Sequence, residues 1–101
     1  MHRLLIMYPR PQNPDAFLDY YKTRHLPAVH NLPGLLSASY GLIDDPKSDW
    51  FLTFEALFAD QASLQRAVQS DHGKSLAMDI PNYSPGGARM FTHPVHPLSM
   101  S

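Results

Sequence analysis

The segment from Trp50 to Phe58, WFLTFEALF, constrains the fold most, because aromatic and aliphatic residues occupy nearly every position. A short run of this composition, bounded by polar residues, is typical of a buried β-strand. Side chains alternate between the two faces of a strand. One predicted face carries Trp50, Leu52, Phe54, Ala56 and Phe58, and the other carries Phe51, Thr53, Glu55 and Leu57. Both faces are rich in apolar groups, so the rest of the fold must cover both.

Proline positions divide the first half of the chain into short elements. The apolar run Arg3–Tyr8 predicts a first strand, which Pro9 ends. Asn13-Pro14-Asp15 predicts a helix start, because asparagine caps, proline suits the first helical position and aspartate complements the helix dipole. Pro27 lacks a backbone N–H and crowds the preceding turn, so we expect a kink near His25.

The second half contains two strands, a second helix and a loop. Leu35–Ile43 predicts a strand that forms a hairpin with Trp50–Phe58 across a polar turn. Asp60 is placed to cap a helix that ends or bends at Ser70–Gly73. The residues of this helix expected to face the core are Leu64, Ala67 and Val68. We expect a long loop over Asp79–Gly87, which is rich in turn-forming residues, and a last strand over Ala88–His93.

The resulting order, β-α-β-β-α-β, predicts one α+β domain over residues 1–101 with a ferredoxin-like fold. Right-handed crossovers give a four-stranded antiparallel sheet with both helices on one face. The opposite face would then expose apolar groups, which monomeric proteins rarely tolerate over a large patch. We therefore expect a homodimer whose two sheets pack against each other and form a barrel.

Composition excludes several classes of protein. Eight Lys plus Arg balance nine Asp plus Glu, so nothing favours nucleic acid as a partner. The absence of cysteine excludes disulfides and thiolate catalysis, and no apolar run approaches a membrane span. No signal peptide is recognisable, so a cytoplasmic location is expected. The absence of a phosphate loop, a dinucleotide fingerprint and a nucleophile elbow excludes nucleotide kinases, Rossmann dehydrogenases and α/β-hydrolases.

Five segments of the sequence form a recognisable set: Phe17, Tyr20-Tyr21, His25-Leu26-Pro27, Leu32-Pro33-Gly34-Leu35 and Asp79-Ile80-Pro81-Asn82-Tyr83. Together they resemble the EthD family of dimeric α/β-barrel proteins over nearly the whole chain. The resemblance implies a bacterial protein with a ferredoxin-like protomer that forms a homodimer. The family is associated with bacterial breakdown of ethyl tert-butyl ether. The wider superfamily includes cofactor-free monooxygenases, lactone isomerases, polyketide cyclases and haem-handling enzymes, and fold alone does not choose between them.

His25 is the best single candidate for catalysis, because histidine exchanges protons near neutral pH. The alternative is structural: its ring would bond the carbonyl that Pro27 leaves free and so hold the kink. Glu55 is the second candidate, since a carboxylate inside a hydrophobic strand that faced a barrel interior would have a raised pKa. The alternative for Glu55 is an ion pair with Arg3 or Arg89, or exposure near a sheet edge.

Tyr21 is the third catalytic candidate, because a tyrosine hydroxyl in an apolar cavity would orient an enol or a phenol. A larger set of residues is predicted to bind a hydrophobic ligand, with packing in the core as the alternative. This set is Tyr8, Tyr40, Trp50, Phe51, His72 and Phe91. For His72 a position at a helix C-terminus, where a cation is favoured, is a further alternative.

No metal and no other cofactor is expected. His93 and His96 are three apart on an extended chain, so their rings point apart, and the spacing of His25 and His30 does not suit one helix face. The segment Asp79–Tyr83 is expected to shape a loop against a partner subunit.

Three functions remain open from the sequence. The first is an enzyme acting on a hydrophobic catabolic intermediate, from ether or aromatic degradation, by cofactor-free proton transfer or oxygenation. The second is a non-catalytic carrier that delivers such an intermediate to a separate oxygenase. The third is a dimerising module with a solid interior.

Overall fold

The computed structural model describes residues 1–100 and contains four strands and four α-helices. The strands are β1 (His2–Pro9), β2 (Ser37–Leu42), β3 (Trp50–Phe58) and β4 (Arg89–Pro94). The helices are α1 (Pro14–Tyr20), α2 (Leu26–Val29), α3 (Gln61–Gln69) and α4 (Asp71–Tyr83), with a π turn at Tyr21–His25 joining α1 to α2. The strands form one antiparallel sheet in the order β2-β3-β1-β4, which confirms the predicted ferredoxin-like fold.

The two faces of the sheet differ in what covers them. On β1 the buried residues alternate as Leu4, Ile6 and Tyr8, and these side chains pack under the helices. We call this the inner face. The residues between them are only half-buried and define the outer face, where Glu55 of β3 is paired in register with Leu5. The prediction that Glu55 points away from the helices is therefore confirmed.

A β-bulge at Phe51 interrupts the alternation predicted for β3. Tyr8 pairs with Leu52 and Pro9 pairs with Trp50, which leaves Phe51 as the extra residue. A bulge re-aims the side chains around it. The Phe51 ring is buried and meets the edge of Phe17 from α1 at 5.2 Å between centroids. The assignment of Phe51 to the outer face was wrong, because simple alternation takes no account of a bulge.

The first helix begins as predicted and changes its geometry at the predicted kink. The Asn13 side chain accepts a hydrogen bond from the backbone N–H of Ala16, and Pro14 takes the first helical position. Ahead of Pro27 the helix widens into the π turn, where the N–H of Leu26 donates to the Tyr21 carbonyl. Single π turns of this kind are frequent at functional sites.

The predicted loop over Asp79–Gly87 was wrong for Asp79–Tyr83, because α4 continues to Tyr83, whereas Ser84–Gly87 forms a loop as predicted. Ser70 ends α3 and caps α4, with its hydroxyl accepting from the Gly73 N–H. Pro81 lies in the last turn of α4, where a missing N–H removes a single bond and the helix persists. None of the helices in residues 1–100 combines the length and apolarity needed to cross a bilayer.

Candidate functional site

Four aromatic rings form the centre of the layer between the inner face and the helices. They are Tyr8, Phe17, Tyr21 and Tyr83, and every pair among them has ring centroids between 5.2 and 5.6 Å apart. All four are buried. Three of them bring a hydroxyl into a dry layer, so those hydroxyl groups need partners inside the protein.

His25 stands at one side of this aromatic cluster and bonds to α4 through both ring nitrogens. Its Nδ1 lies 2.9 Å from Oδ2 of Asp79, and its Nε2 lies 3.3 Å from the Tyr83 hydroxyl. The His25 ring also stacks on Tyr21, with centroids 5.3 Å apart and planes 13° from parallel. The alternative that His25 bonds a carbonyl freed by Pro27 was wrong, since its partners belong to α4.

The charge state of this pair follows from burial and hydrogen bonding. Burial lowers the pKa of His25, and the nearby Asp79 carboxylate offsets only part of that effect. Burial alone would raise the pKa of Asp79, but hydrogen bonds from Tyr20, Asn82 and His25 outweigh it, and the pKa is lowered. At neutral pH the pair is therefore a neutral imidazole beside a carboxylate. The carboxylate can only accept, so Nδ1 of His25 carries the proton and Nε2 is free to accept.

The hydrogen bonds continue from His25 towards the sheet. With Nε2 unprotonated, the Tyr83 O–H donates to it. The hydroxyl oxygens of Tyr8 and Tyr83 are 2.8 Å apart, so Tyr8 donates to Tyr83. Burial raises the pKa of both tyrosines, and both are neutral phenols. We call Tyr8, Tyr83, His25, Asp79 and Tyr20 the hydrogen-bonded chain.

The Tyr20 end of the hydrogen-bonded chain lies nearer to solvent. The Tyr20 O–H donates to Oδ1 of Asp79 at 2.6 Å, and the Asn82 amide donates to the same oxygen at 3.0 Å. The Asp79 side chain is 23% exposed, against 7% for His25. The hydrogen-bonded chain thus connects the fully buried Tyr8 with the Asp79 carboxylate, which water can reach.

His25 lines one cavity, and a second cavity lies next to the first. A narrow apolar cleft of about 80 Å³ lies between the sheet and helices α2 to α4, with His25 and Tyr8 as its polar lining residues. A more open groove of about 450 Å³ runs between α2 and β2, and Tyr40 and His30 are among its lining residues. Val29 and Phe54 line both cavities, so the cleft and the groove share a wall.

Glu55 and Phe91 lie apart from this site, on the outer face. Glu55 makes an ion pair with Arg3 at 3.6 Å, and 46% of its side chain is exposed. The paired strand residue of Phe91 is Leu5, so Phe91 shares that face, and it is also largely exposed. The structure brings neither residue to His25 within one protomer.

The remaining predicted residues have mixed positions. Tyr40 is exposed on β2, with its ring edge-on to Tyr21 at 5.8 Å. Trp50 is half-buried near the bulge, and Phe51 belongs to the core. His72 lies in the first turn of α4, not at a helix C-terminus, so that alternative was wrong. Its Nε2 bonds the Ala28 carbonyl and so ties α4 to α2.

Sequence analysis missed Asp79 and Tyr83, the two α4 residues that bond His25. Pro81 and Asn82 between them favour a turn, and the expected loop hid their relation. The two are four positions apart, which is the spacing that places side chains on one face of a helix. That spacing could have indicated a helix with both residues on one face. The need of a buried histidine for a hydrogen-bond partner could then have indicated Asp79.

Within residues 1–100, no three His, Asp or Glu side chains come close enough together to bind a metal ion.

Tyr21 is the one tyrosine of the aromatic cluster whose hydroxyl group is not hydrogen-bonded within residues 1–100. Among the described residues its buried hydroxyl has no hydrogen-bond partner. Burial raises the pKa of Tyr21, so this hydroxyl is a neutral donor.

Comparison with known proteins places the chain among small ferredoxin-like proteins. No family model matches its sequence. An uncharacterised 11.0 kDa protein of Rhodococcus erythropolis, from the thcB–thcC intergenic region, is 31% identical over 94 residues, covering 89% of this chain and 90% of the relative. The crystal structure of an ethyl tert-butyl ether D (EthD) family protein from Bacillus halodurans is 26% identical, with a TM-score of 0.88 over 95% of this chain and 99% of that one. SnoaB, a cofactor-independent oxygenase from Streptomyces nogalater, shares the fold at 13% identity and a TM-score of 0.71, over 96% of this chain and 94% of SnoaB.

Proposed function

The chain belongs to the EthD family, and from that premise we propose that it is a cofactor-independent enzyme in which His25 transfers protons. The observation that supports this most is the buried pair of His25 and Asp79, in which Nε2 of His25 is unprotonated and accepts from Tyr83, and the imidazole lines an apolar cleft. A histidine that is neutral, oriented by a carboxylate and shielded from water is suited to act as a general base.

The proposed reaction begins with loss of a substrate proton to Nε2 of His25, in the place where the Tyr83 hydroxyl now donates. The electron pair stays on the substrate, and the Asp79 carboxylate stabilises the imidazolium that forms. Return of the proton to a different atom gives an isomerisation. Attack of the carbanion on a carbonyl carbon of the same molecule, with the proton returned to the alkoxide that forms, would give a cyclisation. Reaction of the carbanion with molecular oxygen, which takes up the electron pair, would instead form a C–O bond and a hydroperoxide that receives the proton from His25. The name of SnoaB as a cofactor-independent oxygenase supports such chemistry on this fold.

The cleft favours a small, uncharged and largely apolar substrate. Its volume of about 80 Å³ is far below the roughly 300–1,000 Å³ of a cavity for a drug-sized ligand. Its lining contains no cationic lysine or arginine that would attract an anion. An intermediate of ether or aromatic breakdown fits these limits, and Tyr8, which lines the cleft, is proposed to orient its oxygen. Tyr21 is not a lining residue of the cleft and contacts the site through its stacking on His25.

A homodimer is the proposed assembly, with the outer faces of two sheets in contact. Half-buried Leu5, Met7 and Leu57 supply apolar area there, together with exposed Phe91. Light scattering over a concentration series tests the dimer. A stable monomer at low micromolar concentration would contradict it.

The catalytic proposal is tested with a panel of small ethers, phenols and lactones, assayed with and without oxygen. The variants are His25→Ala and Asp79→Asn, with His96→Ala as the matched control because His96 is an exposed histidine in the C-terminal segment. We expect turnover to fall roughly 100- to 10,000-fold for the two site variants and to stay unchanged for the control. Full turnover by a folded His25→Ala variant would remove His25 from the mechanism.

A carrier is the alternative, and the groove between α2 and β2 favours it. That groove has the larger volume, and its ligand would lie away from the Asp79 carboxylate. A carrier would bind members of the same panel in thermal-shift assays without turnover at any pH. Binding that survives His25→Ala and fails after Leu36→Asp would support the carrier.

A further inference from the structure

The Tyr20 hydroxyl makes the shortest hydrogen bond to Asp79, and it takes no part in the proton transfer by His25. It donates to Oδ1 at 2.6 Å, while the other carboxylate oxygen accepts from His25 at 2.9 Å. A carboxyl group bonded at both oxygens cannot rotate without breaking one of the bonds. Tyr20 therefore helps to hold the Asp79 carboxylate in place against His25, through the carboxylate oxygen that His25 does not contact.

The Tyr20 ring holds a second member of the hydrogen-bonded chain. It stacks on Tyr83, with centroids 5.7 Å apart and planes 25° from parallel. Its other neighbour is Arg24, whose guanidinium carbon lies 5.6 Å from the ring centroid. Tyr20 is thus in contact with both residues that bond the His25 nitrogens, and it lies beside the part of Asp79 that faces water.

We propose that Tyr20 is a positioning residue that fixes the tautomer of His25. Its hydroxyl orients Asp79 towards Nδ1, and its ring keeps Tyr83 against Nε2. Tyr20 itself touches neither His25 nor the apolar cleft, so it acts through Asp79 and Tyr83. This deepens the function proposed above, but the tautomer of His25 can be measured without any substrate.

The groups that face His25 come from three elements. Asp79 and Tyr83 face it from α4, Tyr8 lines the same cleft from β1, and Tyr21 stacks on it from the π turn. Asp79 is the one carboxylate among them. Because the tyrosines are neutral, the orientation of Asp79 decides which nitrogen carries the proton. The hydrogen bond to Asp79 also raises the pKa of Tyr20, as expected for a phenol that donates to a carboxylate.

The test is ¹⁵N NMR of histidine-labelled full-length protein, with the His25 signals assigned from their loss in His25→Gln. The wild-type protein should show His25 protonated at Nδ1, with a slowly exchanging proton. Tyr20→Phe keeps the ring and deletes the hydroxyl, and we expect a mixture of tautomers with exchange at least tenfold faster. Tyr20→Phe combined with Asn82→Ala removes both donors to Oδ1 and should enlarge the change.

Thr23→Val is the matched control. It deletes a hydroxyl from the same helical layer, but that hydroxyl donates only to the Asp19 carbonyl. The control should keep the wild-type tautomer and exchange rate. A wild-type tautomer and exchange rate in Tyr20→Phe would overturn the proposal. An equal change in Thr23→Val would also overturn it, because general loosening of the layer would then be the cause.

A kinetic measurement separates this inference from the proposed function. On any substrate found in the panel, Tyr20→Phe should lower kcat roughly 10- to 100-fold with little change in KM, because misorientation acts on the reacting geometry. If the panel gives no turnover while the NMR result holds, the enzyme proposal fails and the positioning role of Tyr20 stands.

Discussion

The two sides of the sheet each carry a paired carboxylate, and the pairs behave differently. On the inner side, His25 and Asp79 approach to 2.9 Å with side chains 7% and 23% exposed. On the outer face, Arg3 and Glu55 stay 3.6 Å apart with side chains 33% and 46% exposed. Asp79 accepts three hydrogen bonds that fix its direction, whereas Glu55 makes a long contact that water screens.

The difference shows that an unusual residue in the sequence is a weaker guide than its surroundings. Glu55 attracts attention because it interrupts a hydrophobic strand, yet its side chain reaches solvent. Asp79 lies in a segment rich in turn residues, yet it orients a buried histidine. Chemistry needs a desolvated, oriented group, and within one protomer the inner pair meets that condition whereas the pair of Arg3 and Glu55 does not.

The largest effect is expected from removing an aromatic ring on the inner side. Phe17 is buried and contacts four other rings, so Phe17→Ala should lower the free energy of unfolding by about 3–5 kcal/mol. Phe91→Ala on the outer face is the matched control, because Phe91 is 44% exposed. Urea denaturation at a protein concentration low enough to dissociate the proposed dimer should show a loss under about 1 kcal/mol for the control. A loss that grows with protein concentration would show that a partner covers Phe91.

The two carboxylates provide the next comparison. Asp79→Asn replaces two accepting oxygens with one, so a donor from His25, Tyr20 or Asn82 loses its partner, and we expect a loss of about 1–3 kcal/mol. Glu55→Gln should cost no more than about 1 kcal/mol. Both values come from denaturant unfolding at pH 7. Equal losses would contradict the distinction between the two faces.

A smaller effect of opposite sign is expected at Tyr21. Its buried hydroxyl has no partner within residues 1–100, so Tyr21→Phe should raise the free energy of unfolding by about 1 kcal/mol. Tyr83→Phe is the matched control, because its hydroxyl bonds both Tyr8 and His25, and its loss should destabilise the protein. Destabilisation by Tyr21→Phe would indicate that a ligand or water bonds this hydroxyl in solution.

The smallest effect is expected from mild acid. The pKa of His25 is lowered from 6.5 by burial, so the unfolded chain takes up its proton first as the pH falls. The contribution of neutral His25 to stability is complete above pH 6.5 and is lost as the pH falls through the lower folded value. Asp79 adds its own loss as the pH falls through 3.8, the ordinary value for an aspartate, towards its lowered folded pKa. The free energy of unfolding, measured from pH 7 to pH 4, should decrease less steeply with falling pH in His25→Gln than in the wild-type protein.

Local signals were sufficient for most of the fold. Asn13 and Asp60 cap helices where the sequence predicts them, and Trp50–Phe58 forms the strand at the predicted bounds. Each of these features depends on residues close together in the chain. The bulge at Phe51 was not predictable in this way, because it depends on how β1 and β3 pair across the sheet.

The candidate site was only half predictable. His25 was identified from its own chemistry and from the proline that follows it. Asp79 lies 54 positions away and Tyr83 lies 58 positions away, so their relation to His25 appears only when α4 packs on the π turn. Pro81 made the end of α4 look like a turn, although a proline in the last helical turn removes one hydrogen bond and no more.

The π turn ahead of Pro27 also sets the direction, about the helix axis, in which the helical residues after it point. A π turn holds one more residue than an α turn, so it acts as a one-residue insertion that turns the following residues by roughly 100° about the helix axis. It lets Tyr21 and His25 stack face to face while Val29 still reaches the core. Deleting one residue between Lys22 and Arg24 would restore an ordinary helix and rotate Tyr21 relative to His25. The length of this five-residue segment is therefore as much a part of the site as its side chains.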